Sequence, residues 1–441
     1  MAETGQTLLI VTKGKMDSEK ISVVIGPLNL KETLGKLEFG MVNPGIGGTE
    51  FQLLSLALSL NRKKQFDIEI ICSDGIPVGL NPGIKTTRLI DVDKFKPRTV
   101  LISPVSTISN IKVEYLRDCK VILSSHHPHD KVKRKIRKQP QVKLVRVVGA
   151  YSYLVDPKNV PTAYIPNYYL SKDCLNQDIS KKSYKTAGNI SSYHPSKGTH
   201  HVIGMFNLMC KQINGLKFEL VGSSALYANS TESPVARFKS SFAASYNVRI
   251  ARLVNRLHSS AKGCEIKEYG LQSDNLPKIV LGWSVAVINP LGIGESDPAS
   301  IKDCLAVGVP VFSTGDFGTW DYQRFFPETT ASSPLKLIKR INAYLNEVDL
   351  QTEIQSRIKM LTKELTERNF VISEVWEKTI IAISEEGSNP EKHSAVFSPT
   401  IISNRMFKRI ILRKFLYRFP RYGTLENFIR DRYWSFRLNN G

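Results

Sequence analysis

The sequence predicts an α/β protein made of two halves with parallel sheets, followed by a basic C-terminal tail. Apolar runs of strand length alternate with helical stretches through most of the 441 residues, which is typical of strands joined by crossover helices. A polar, aperiodic segment at residues 171–184 separates two such alternations. Since a chain of this length can form two domains, we predict two α/β domains joined by this linker.

The first domain is predicted to span residues 36–170. Its expected first strand is residues 37–42, and a glycine-rich turn and an apolar-sided helix follow. Further buried strands are predicted at residues 68–72, 100–102 and 121–123. We expect residues 1–35 to be an N-terminal extension, whose apolar runs at residues 8–11 and 21–25 form an extra hairpin.

The second domain is predicted to span residues 185–384. A strand at residues 187–190, a helix from about His200 and a strand at residues 217–221 come first. Long amphipathic helices between about Leu335 and Ile383 come last. Beyond them, residues 385–441 read as a linker and a basic, amphipathic helical tail.

The most informative segment, residues 286–313, reads as a buried strand, a glycine-bearing loop, a helix and a second buried strand. Asp297 is the expected N-cap of the helix, with Pro298 at its first position. The next three amides would lack partners within the helix and would favour an anion; they belong to Ala299, Ser300 and Ile301. The loop brings Glu295 to this helix start, and Asp303 lies inside the helix.

These residues resemble the signature of the retaining glycosyltransferases of family 4, in which a Glu, seven residues, a second Glu and Gly-x-Pro-Val follow one another. Glu295, Asp303 and residues 308–311 match this order, with Asp in place of the second Glu. The resemblance implies the GT-B fold, in which two Rossmann-like domains face each other across a cleft. It also implies transfer of a sugar from a nucleotide diphosphate sugar to a sugar or lipid-linked hydroxyl acceptor, with retention of configuration and no metal or cofactor.

The same resemblance assigns roles to the residues of this segment. Glu295 would orient the transferred sugar as a catalytic residue, and Asp303 would bind the ribose with a reach one methylene shorter than that of Glu. The remaining donor-binding residues would be Ser296, Asp297, Ala299 and Ser300. The alternative is an ordinary strand–helix–strand unit whose acidic residues are incidental.

A glycine-rich turn in the first domain is expected to face the same cleft. Residues 45–50 (GIGGTE) follow the first predicted strand and open a helix. Gly47 and Gly48 would let the backbone approach a phosphate at the helix end. A tight turn without a ligand is the alternative.

A histidine cluster follows the strand predicted at residues 121–123. In the resembling family a histidine near this place contacts the transferred sugar, and His126 fits best by its distance from the strand. We interpret His126 as catalytic, with His127 as the second candidate. A solvated loop is one alternative; a metal cluster with His129 and Asp130 is another, although its spacing fits no standard site.

Motifs of the second domain resemble the donor-binding parts of the family. Lys197 precedes a glycine, as does a lysine that holds the donor diphosphate, whereas Asn189 stands where the family has an Arg. Gly222 resembles a turn beside the nucleotide, and Tyr269 a residue that borders the base. Residues 315–318 (GDFG) resemble a cleft-lining loop, and the last helices resemble closing helices that cross back onto the first domain.

The net charge of +21 is concentrated in two segments. Residues 131–146 hold eight Lys or Arg and no acid, and residues 405–437 hold ten against two acids. Because the tail mixes basic residues with aromatic and aliphatic ones, we predict contact with an anionic membrane surface through both segments. Nucleic acid binding is the disfavoured alternative, and packing of the tail on its own protein is another.

Six scattered cysteines without a Cys-x-x-Cys pair argue against a zinc site or a disulfide framework and for a reducing compartment. No apolar run reaches the length of a membrane span. We therefore expect a cytoplasmic protein that can lie on the inner face of a membrane. Two other functions stay open: a nucleotide-sugar epimerase of the same fold, and a non-catalytic binder of membrane or nucleic acid.

Overall fold

The structure is a computed structural model that describes residues 19–26, 39, 47–63, 65–72, 84–91, 99–108, 111, 113–126, 139–155, 160–169, 185–193, 197–222, 241–260, 264–270, 272, 275–291, 296–385, 389–394, 397, 411–413 and 422–439. These residues form two parallel sheets, one from each half of the chain, with helices packed against them.

The first sheet has the strand order β3-β2-β1-β4-β5-β6-β7. Its strands are β1 (Glu19–Ile25), β2 (Phe66–Cys72), β3 (Lys85–Arg88), β4 (Val100–Pro104), β5 (Lys120–Ser125), β6 (Val142–Val147) and β7 (Thr162–Tyr164). The helices of this half are α1 (Gly48–Asn61), α2 (Val105–Ile108), α3 (Val113–Leu116) and α4 (Ala150–Val155). The strands predicted at residues 68–72, 100–102 and 121–123 are confirmed.

Strand β1 lies at the centre of this sheet. Ile21 pairs in parallel with Ile68 of β2 and with Val100 of β4, and the last five side chains of the strand are buried. The prediction that this run forms an extra hairpin before the first domain was wrong, because an apolar run buried on both faces is typical of a central parallel strand. The strand predicted at residues 37–42 lies outside the described residues except for Phe39.

The second sheet has the order β10-β9-β8-β11-β12. Its strands are β8 (Thr186–Ile190), β9 (Lys217–Val221), β10 (Glu265–Gly270), β11 (Val285–Val287) and β12 (Val311–Phe312). The helices that alternate with them are α5 (Thr199–Cys210), α6 (Ser241–Ser260), α7 (Leu276–Leu281), α8 (Ala299–Ala306) and α9 (Trp320–Gln323). The predicted strand–helix–strand order of this half is confirmed, including the unit at residues 286–313.

Two long helices close the second domain, and the second of them reaches the first. Helix α10 spans Pro334–Asn346 and helix α11 spans Val348–Ser384. Near its start, α11 places Ile354 and Ile358 in the core of the second domain. Near its end it places Trp376 in the core of the first domain. The prediction that the closing helices cross back is confirmed.

The described part of the tail packs on the second domain along one side. After the short helix α12 (Glu391–Ser394), the tail helix α13 spans Tyr422–Asn439 and lies against α5. Leu438 is 1% exposed, and Trp434 packs against the same core. Within the residues described, no helix has the length and apolar character needed to cross a membrane.

Part of the basic segment at residues 131–146 is a buried strand rather than a lipid-facing surface. Residues 131–138 lie outside the described residues, but β6 carries Lys143 outward and Arg146 inward. The Arg146 guanidinium is buried and donates to the carbonyl oxygens of Ile165 and Pro166. Arg146 therefore serves the interior of the first domain, and the prediction that it touches lipid was wrong.

A disulfide joins Cys210, the last residue of α5, to Cys264 before β10. The scattered cysteines without a Cys-x-x-Cys pair predicted no disulfide framework and a reducing compartment. This pair is an exception to that prediction, since two cysteines 54 residues apart form no recognisable spacing pattern. Cys72, Cys119 and Cys304 are buried as free thiols.

Candidate functional site

Loops that follow strands of the first sheet contact loops that follow strands of the second. The glycine turn before α1 lies against the start of α8, since a Cβ placed on Gly48 would be 3.8 Å from the Cβ of Ala299. After β6, Gly149 touches the backbone of Ser296. Ligands of open α/β sheets bind at this strand edge. The structure thus brings together the glycine turn and the α8 start, which the sequence predicted as parts of one site.

Helix α8 offers two open amides at this cleft. Pro298 is the N-cap residue with extended backbone angles, and Ala299 is the first helical residue. Ile301 N–H donates to the Pro298 carbonyl oxygen at 3.1 Å, so it is not an open donor, contrary to the sequence prediction. In the described part of the chain, the amides of Ala299 and Ser300 have no partner. These two N–H groups at the positive end of the helix favour an anion.

Asp297 is not the N-cap of α8, because Pro298 holds that position, so this prediction was wrong. Its carboxylate is 3% exposed and pairs with Lys302 Nζ at 2.7 Å. Its other oxygen accepts a hydrogen bond from the Tyr322 hydroxyl. The Lys302 cation, five residues further along the chain in α8, and the buried Tyr322 phenol hold the carboxylate inside the protein. No local pattern predicts these partners, and Asp-Pro is a common pair at a helix start, which favoured the N-cap interpretation.

Ser296 sits in a tight junction between the domains. Its hydroxyl accepts a hydrogen bond from the Ser152 hydroxyl of α4 at 3.0 Å, and the residue is 1% exposed. A Cβ on Gly149 would come within 2.0 Å of the Ser296 carbonyl oxygen, and one on Gly318 within 2.4 Å of its backbone. The side chain of Ser296 therefore serves the domain contact rather than the predicted donor site.

Asp303 keeps an uncompensated carboxyl group beside the α8 start. Its side chain is half-buried, and it forms no hydrogen bond or ion pair with the other residues described. Burial raises the pKa of its carboxyl to about 7, and the neighbouring Lys302 only partly offsets this effect. A carboxyl held in this way is suited to accept hydrogen bonds from the hydroxyls of a ligand.

His126 is positioned at the end of β5 by a buried network. Its Nε2 lies 3.0 Å from the Ser124 hydroxyl, which in turn accepts a hydrogen bond from Arg146 Nη1 at 3.0 Å. Arg146 also donates to Asn167 Oδ1 at 2.8 Å. The ring is thus fixed at the strand end where its role was predicted, whereas His127 lies outside the described residues.

The loop after β8 carries Lys197 to the start of α5. Gly198 has a φ of +69°, a left-handed conformation that suits glycine, and it is the N-cap of α5. Asn189, which stands where the resembling family has an Arg, is fully buried and donates to the Val287 carbonyl oxygen at 2.7 Å. It accepts a hydrogen bond from the Ser191 hydroxyl at 3.2 Å. Asn189 therefore braces β8 against β11 and is not a phosphate ligand.

Gly222 directly follows β9, and Tyr269 lies near the end of β10. Gly222 has a φ of +131°, and a Cβ there would lie 1.8 Å from the Ser191 carbonyl oxygen, so only glycine fits. The Tyr269 hydroxyl donates to Glu219 Oε1 at 3.1 Å and borders an open cavity of about 390 Å³ that Lys278 also lines. The loops after β8 and β9 are therefore neighbours, while Tyr269 faces a cavity at the outer strand of the sheet.

The comparisons with known proteins rest on structure. No protein-family model matches the sequence, and no curated protein matches it either. The N-terminal domain of the Candida albicans trehalose-6-phosphate phosphatase aligns with a TM-score of 0.57 at 11% identity, over 85% of this chain and 99% of that one. A glycosyltransferase from Rickettsia africae ESF-5 aligns with a TM-score of 0.57 at 12% identity, over 84% and 100%.

A third solved structure, that of Anabaena HepE in complex with UDP-glucose, aligns with a TM-score of 0.52 at 15% identity, over 81% of this chain and 99% of that one. The two facing Rossmann-like domains decide the fold. The chain has the GT-B fold. At these identities the likeness shows the GT-B architecture alone, and the chemistry must be argued from the residues of its cleft.

Asp321 links the two GT-B domains, although no sequence pattern predicted this role. It lies in α9, and its carboxylate accepts hydrogen bonds from the amides of Ala150 and Tyr151 at 2.7 and 3.2 Å. These amides open α4 of the first domain. Burial raises the pKa of Asp321 to about 7. No local pattern marks an acid whose partners lie about 170 residues away.

A second missed contact joins the tail to the loop at residues 315–318. Asp316 is buried and pairs at 2.8 Å with both Arg413 and Arg430. Arg413 also donates to the Tyr151 hydroxyl of the first domain. The tail therefore touches both GT-B domains at the predicted cleft-lining loop. The sequence predicted these arginines as part of a membrane-binding surface, not as partners of a buried aspartate.

Together these contacts give the cleft a defined chemical character. The open amides of α8 suit phosphate, and Asp303 suits hydroxyl groups. Glu295, the predicted catalytic acid, lies outside the described residues. The described residues therefore include two groups suited to an anion and one carboxyl suited to hydroxyl groups, all in α8.

Proposed function

We propose that the protein is a retaining glycosyltransferase that moves a sugar from a nucleotide diphosphate sugar to a hydroxyl acceptor. The observation that carries the proposal is the meeting of the Gly47-Gly48 turn with the open amides of α8 across a GT-B cleft. Similar folds are solved with UDP-glucose and, for an Escherichia coli protein, with UDP-2-fluoro glucose. We therefore expect a UDP-sugar to be the first donor worth testing.

In this proposal each cleft residue stabilises a part of the donor. Lys197 and the amides of Ala299 and Ser300 bind the diphosphate, where negative charge grows as the sugar departs. Asp303 accepts hydrogen bonds from the ribose. Because Asn189 is committed to bracing β8, the donor diphosphate is held by one cation where the resembling family uses two.

The sugar itself is assigned to two further residues. Glu295 orients its hydroxyls, and His126 contacts its reacting face from the first domain. His126 is suited to this role because Ser124 and Arg146 fix its position. Acceptor attack on the same face as the departing diphosphate gives retention without a metal or cofactor.

A donor-binding panel tests the proposal. Thermal unfolding of the full-length protein is measured with UDP-, GDP- and ADP-sugars, for wild type, Glu295→Ala and the control Glu367→Ala, an exposed acid on α11. A donor at 100 times its Kd stabilises the folded state by about 2.7 kcal/mol. We expect one nucleotide to raise the Tm of wild type and Glu367→Ala, and to raise that of Glu295→Ala less.

The donor that binds is then incubated with and without candidate acceptors. Transfer to a hydroxyl acceptor supports the proposal if NMR shows that the product keeps the anomeric configuration of the donor. Epimerised sugar formed without acceptor would replace it by the epimerase function. No stabilisation by any donor would leave a non-catalytic binder.

We also propose that the tail helix α13 lies on an anionic membrane, which would bring the cleft to a lipid-linked or cell-surface polysaccharide acceptor. The side of α13 that faces away from the protein exposes Phe428, Ile429, Tyr433 and Phe436 to about half or more. Arg432 and Arg437 are exposed on the same side. Apolar side chains flanked by arginines are typical of helices at a lipid interface.

Vesicle sedimentation tests this membrane contact. Full-length protein is sedimented with phosphatidylcholine vesicles with and without phosphatidylglycerol, for wild type, Phe428→Ser/Phe436→Ser and the control Ile90→Ser, which changes an apolar residue that is 84% exposed in the first domain. We expect binding that requires the anionic lipid and is lost only in the tail variant. Equal binding by all three proteins, or none, would contradict the proposal.

A further inference from the structure

Two histidines of α5 and one carboxylate of the tail helix converge on a single point. His200 and His201 are the second and third residues of α5, and Asp431 lies on α13. Nε2 of His200 and Nε2 of His201 lie 2.7 and 3.0 Å from the same oxygen of Asp431. The two rings are 3.8 Å apart between centroids, and all three ligand atoms lie within 4.8 Å of one another.

This set has the composition of a transition-metal site. Two imidazole nitrogens and one carboxylate oxygen form the protein part of many zinc sites, in which water takes the fourth position. Both imidazoles are at most 1% exposed, whereas the Asp431 side chain is 27% exposed, so one side of the set is open to water. The proposed sugar transfer does not use these three side chains.

The surroundings of the His200 ring also fit a metal. His200 Nδ1 lies 2.9 Å from the Tyr246 hydroxyl, which can accept a hydrogen bond from Nδ1–H when Nε2 binds a metal. His201 Nδ1 is buried and has no partner in the described part of the chain. Metal binding therefore only moves each imidazole proton from Nε2 to Nδ1, and the ligand charge stays at −1 from Asp431.

We propose that His200, His201 and Asp431 bind one divalent transition-metal ion, with Zn²⁺ as the ion that suits these ligands, and that this ion fastens the tail helix to the second domain. His201 lies beside Gly198, which follows Lys197 at the predicted diphosphate site. Arg430, the neighbour of Asp431, holds Asp316 and the Leu291 carbonyl oxygen. The ion thus fixes a helix that contacts the start of α5 and the loops of Leu291 and Asp316.

Titration of metal-stripped full-length protein with Zn²⁺ tests the site, with Co²⁺ absorption as a probe of the ligand geometry. The variants are Asp431→Asn, which keeps the shape of a half-buried side chain, and His201→Ala; the control is His258→Ala, an exposed histidine of α6. We expect one ion per chain in wild type and control, and affinity at least about tenfold weaker in both site variants. A tetrahedral Co²⁺ spectrum is expected in wild type and in His258→Ala, and is expected to be absent from both site variants.

Proteolysis supplies a second readout that does not depend on how Asp431→Asn changes the fold. Trypsin cleavage within α13 is expected to slow when Zn²⁺ is added to wild type and to return with chelator. Two results would overturn the proposal: no saturable binding of either metal, or stoichiometric binding that persists in Asp431→Asn and is lost in His127→Ala/His129→Ala. The first would leave the three residues as a hydrogen-bonded anchor, and the second would place the metal at the other histidine cluster.

Discussion

The Asp303 carboxyl group is held in the fold at a cost to stability. Its folded pKa of about 7 lies above the value of 3.8 for an unfolded Asp, because burial disfavours the charged form. The folded protein therefore holds this proton more tightly than the unfolded chain. The contribution of the carboxyl to stability is complete below pH 3.8 and is lost as the pH rises through 7.

We expect Asp303→Asn to become more stable relative to wild type as the pH rises from 4 to 8. The change should be roughly 2 kcal/mol, less than a full conversion at about 1.4 kcal/mol per pKa unit, since the side chain is only half-buried. Urea unfolding across this pH range measures it. Glu367→Gln on the exposed side of α11 is the control, and a parallel pH profile for Asp303→Asn and wild type would contradict the assignment.

The buried pair of Asp297 and Lys302 gives a second prediction at this scale. Lys302→Met leaves the Asp297 carboxylate buried without its cation, and we expect a loss of about 3–5 kcal/mol in the free energy of unfolding. The double variant Asp297→Asn/Lys302→Met should recover part of this loss, because no unpaired charge remains. Additive losses in a double-mutant cycle would show that the pair does not interact as the structure indicates.

At the scale of single elements, the sequence predicted helices and strands better than it predicted what they touch. The unit at residues 286–313 is found as predicted, because its apolar runs and its Gly308 end are local signals. Asp297 and Ser296 were misassigned because their partners, Tyr322 and Ser152, come from other elements. The sequence predicted an amphipathic tail that contacts a membrane, yet Asp431 and Trp434 on one side of α13 contact the protein itself.

The tail contact at Asp316 predicts different losses of stability for variants of its acidic and basic partners. Asp316→Asn leaves the Arg413 and Arg430 guanidiniums facing each other in a largely buried place, and we expect a loss of about 3–5 kcal/mol. Arg430→Met should cost less, since Arg430 is more exposed and Arg413 still pairs with Asp316. Chemical unfolding gives both values. Arg432→Met, a change on the outer side of α13, should have no effect, and equal losses for Asp316→Asn and Arg430→Met would contradict this account.

At the scale of the whole molecule, α11 makes the two domains depend on each other. Trp376 is fully buried in the first domain's core, although its helix starts in the second. We expect Trp376→Ala to cost about 3–5 kcal/mol and to raise amide hydrogen exchange mainly in β1, β2 and α1. Ile354→Ala near the start of the same helix is the matched control and should act on the second sheet. Equal exchange patterns for the two variants would mean that the domains unfold as one unit.

The overall architecture could be predicted from the sequence, because alternating apolar runs and the order of the motifs survive at this scale. The position of β1 could not, since a central strand and a hairpin strand have the same apolar run, and only its pairing with β2 and β4 separates them. The proposed metal ligands could not be predicted from the sequence for a related reason. His200 and Asp431 lie 231 residues apart and meet only when the tail docks.

The junction at Ser296 has a mechanical consequence. Gly149 of the first domain and Gly318 of the second press on its backbone from two sides with no room for a methyl group. A single alanine at Gly149 would therefore act as a wedge between the domains at Ser296, while both sheets stay intact. Such a protein would be folded and yet unable to shut, because its two halves would be propped apart where Gly149 lies directly against the backbone of Ser296.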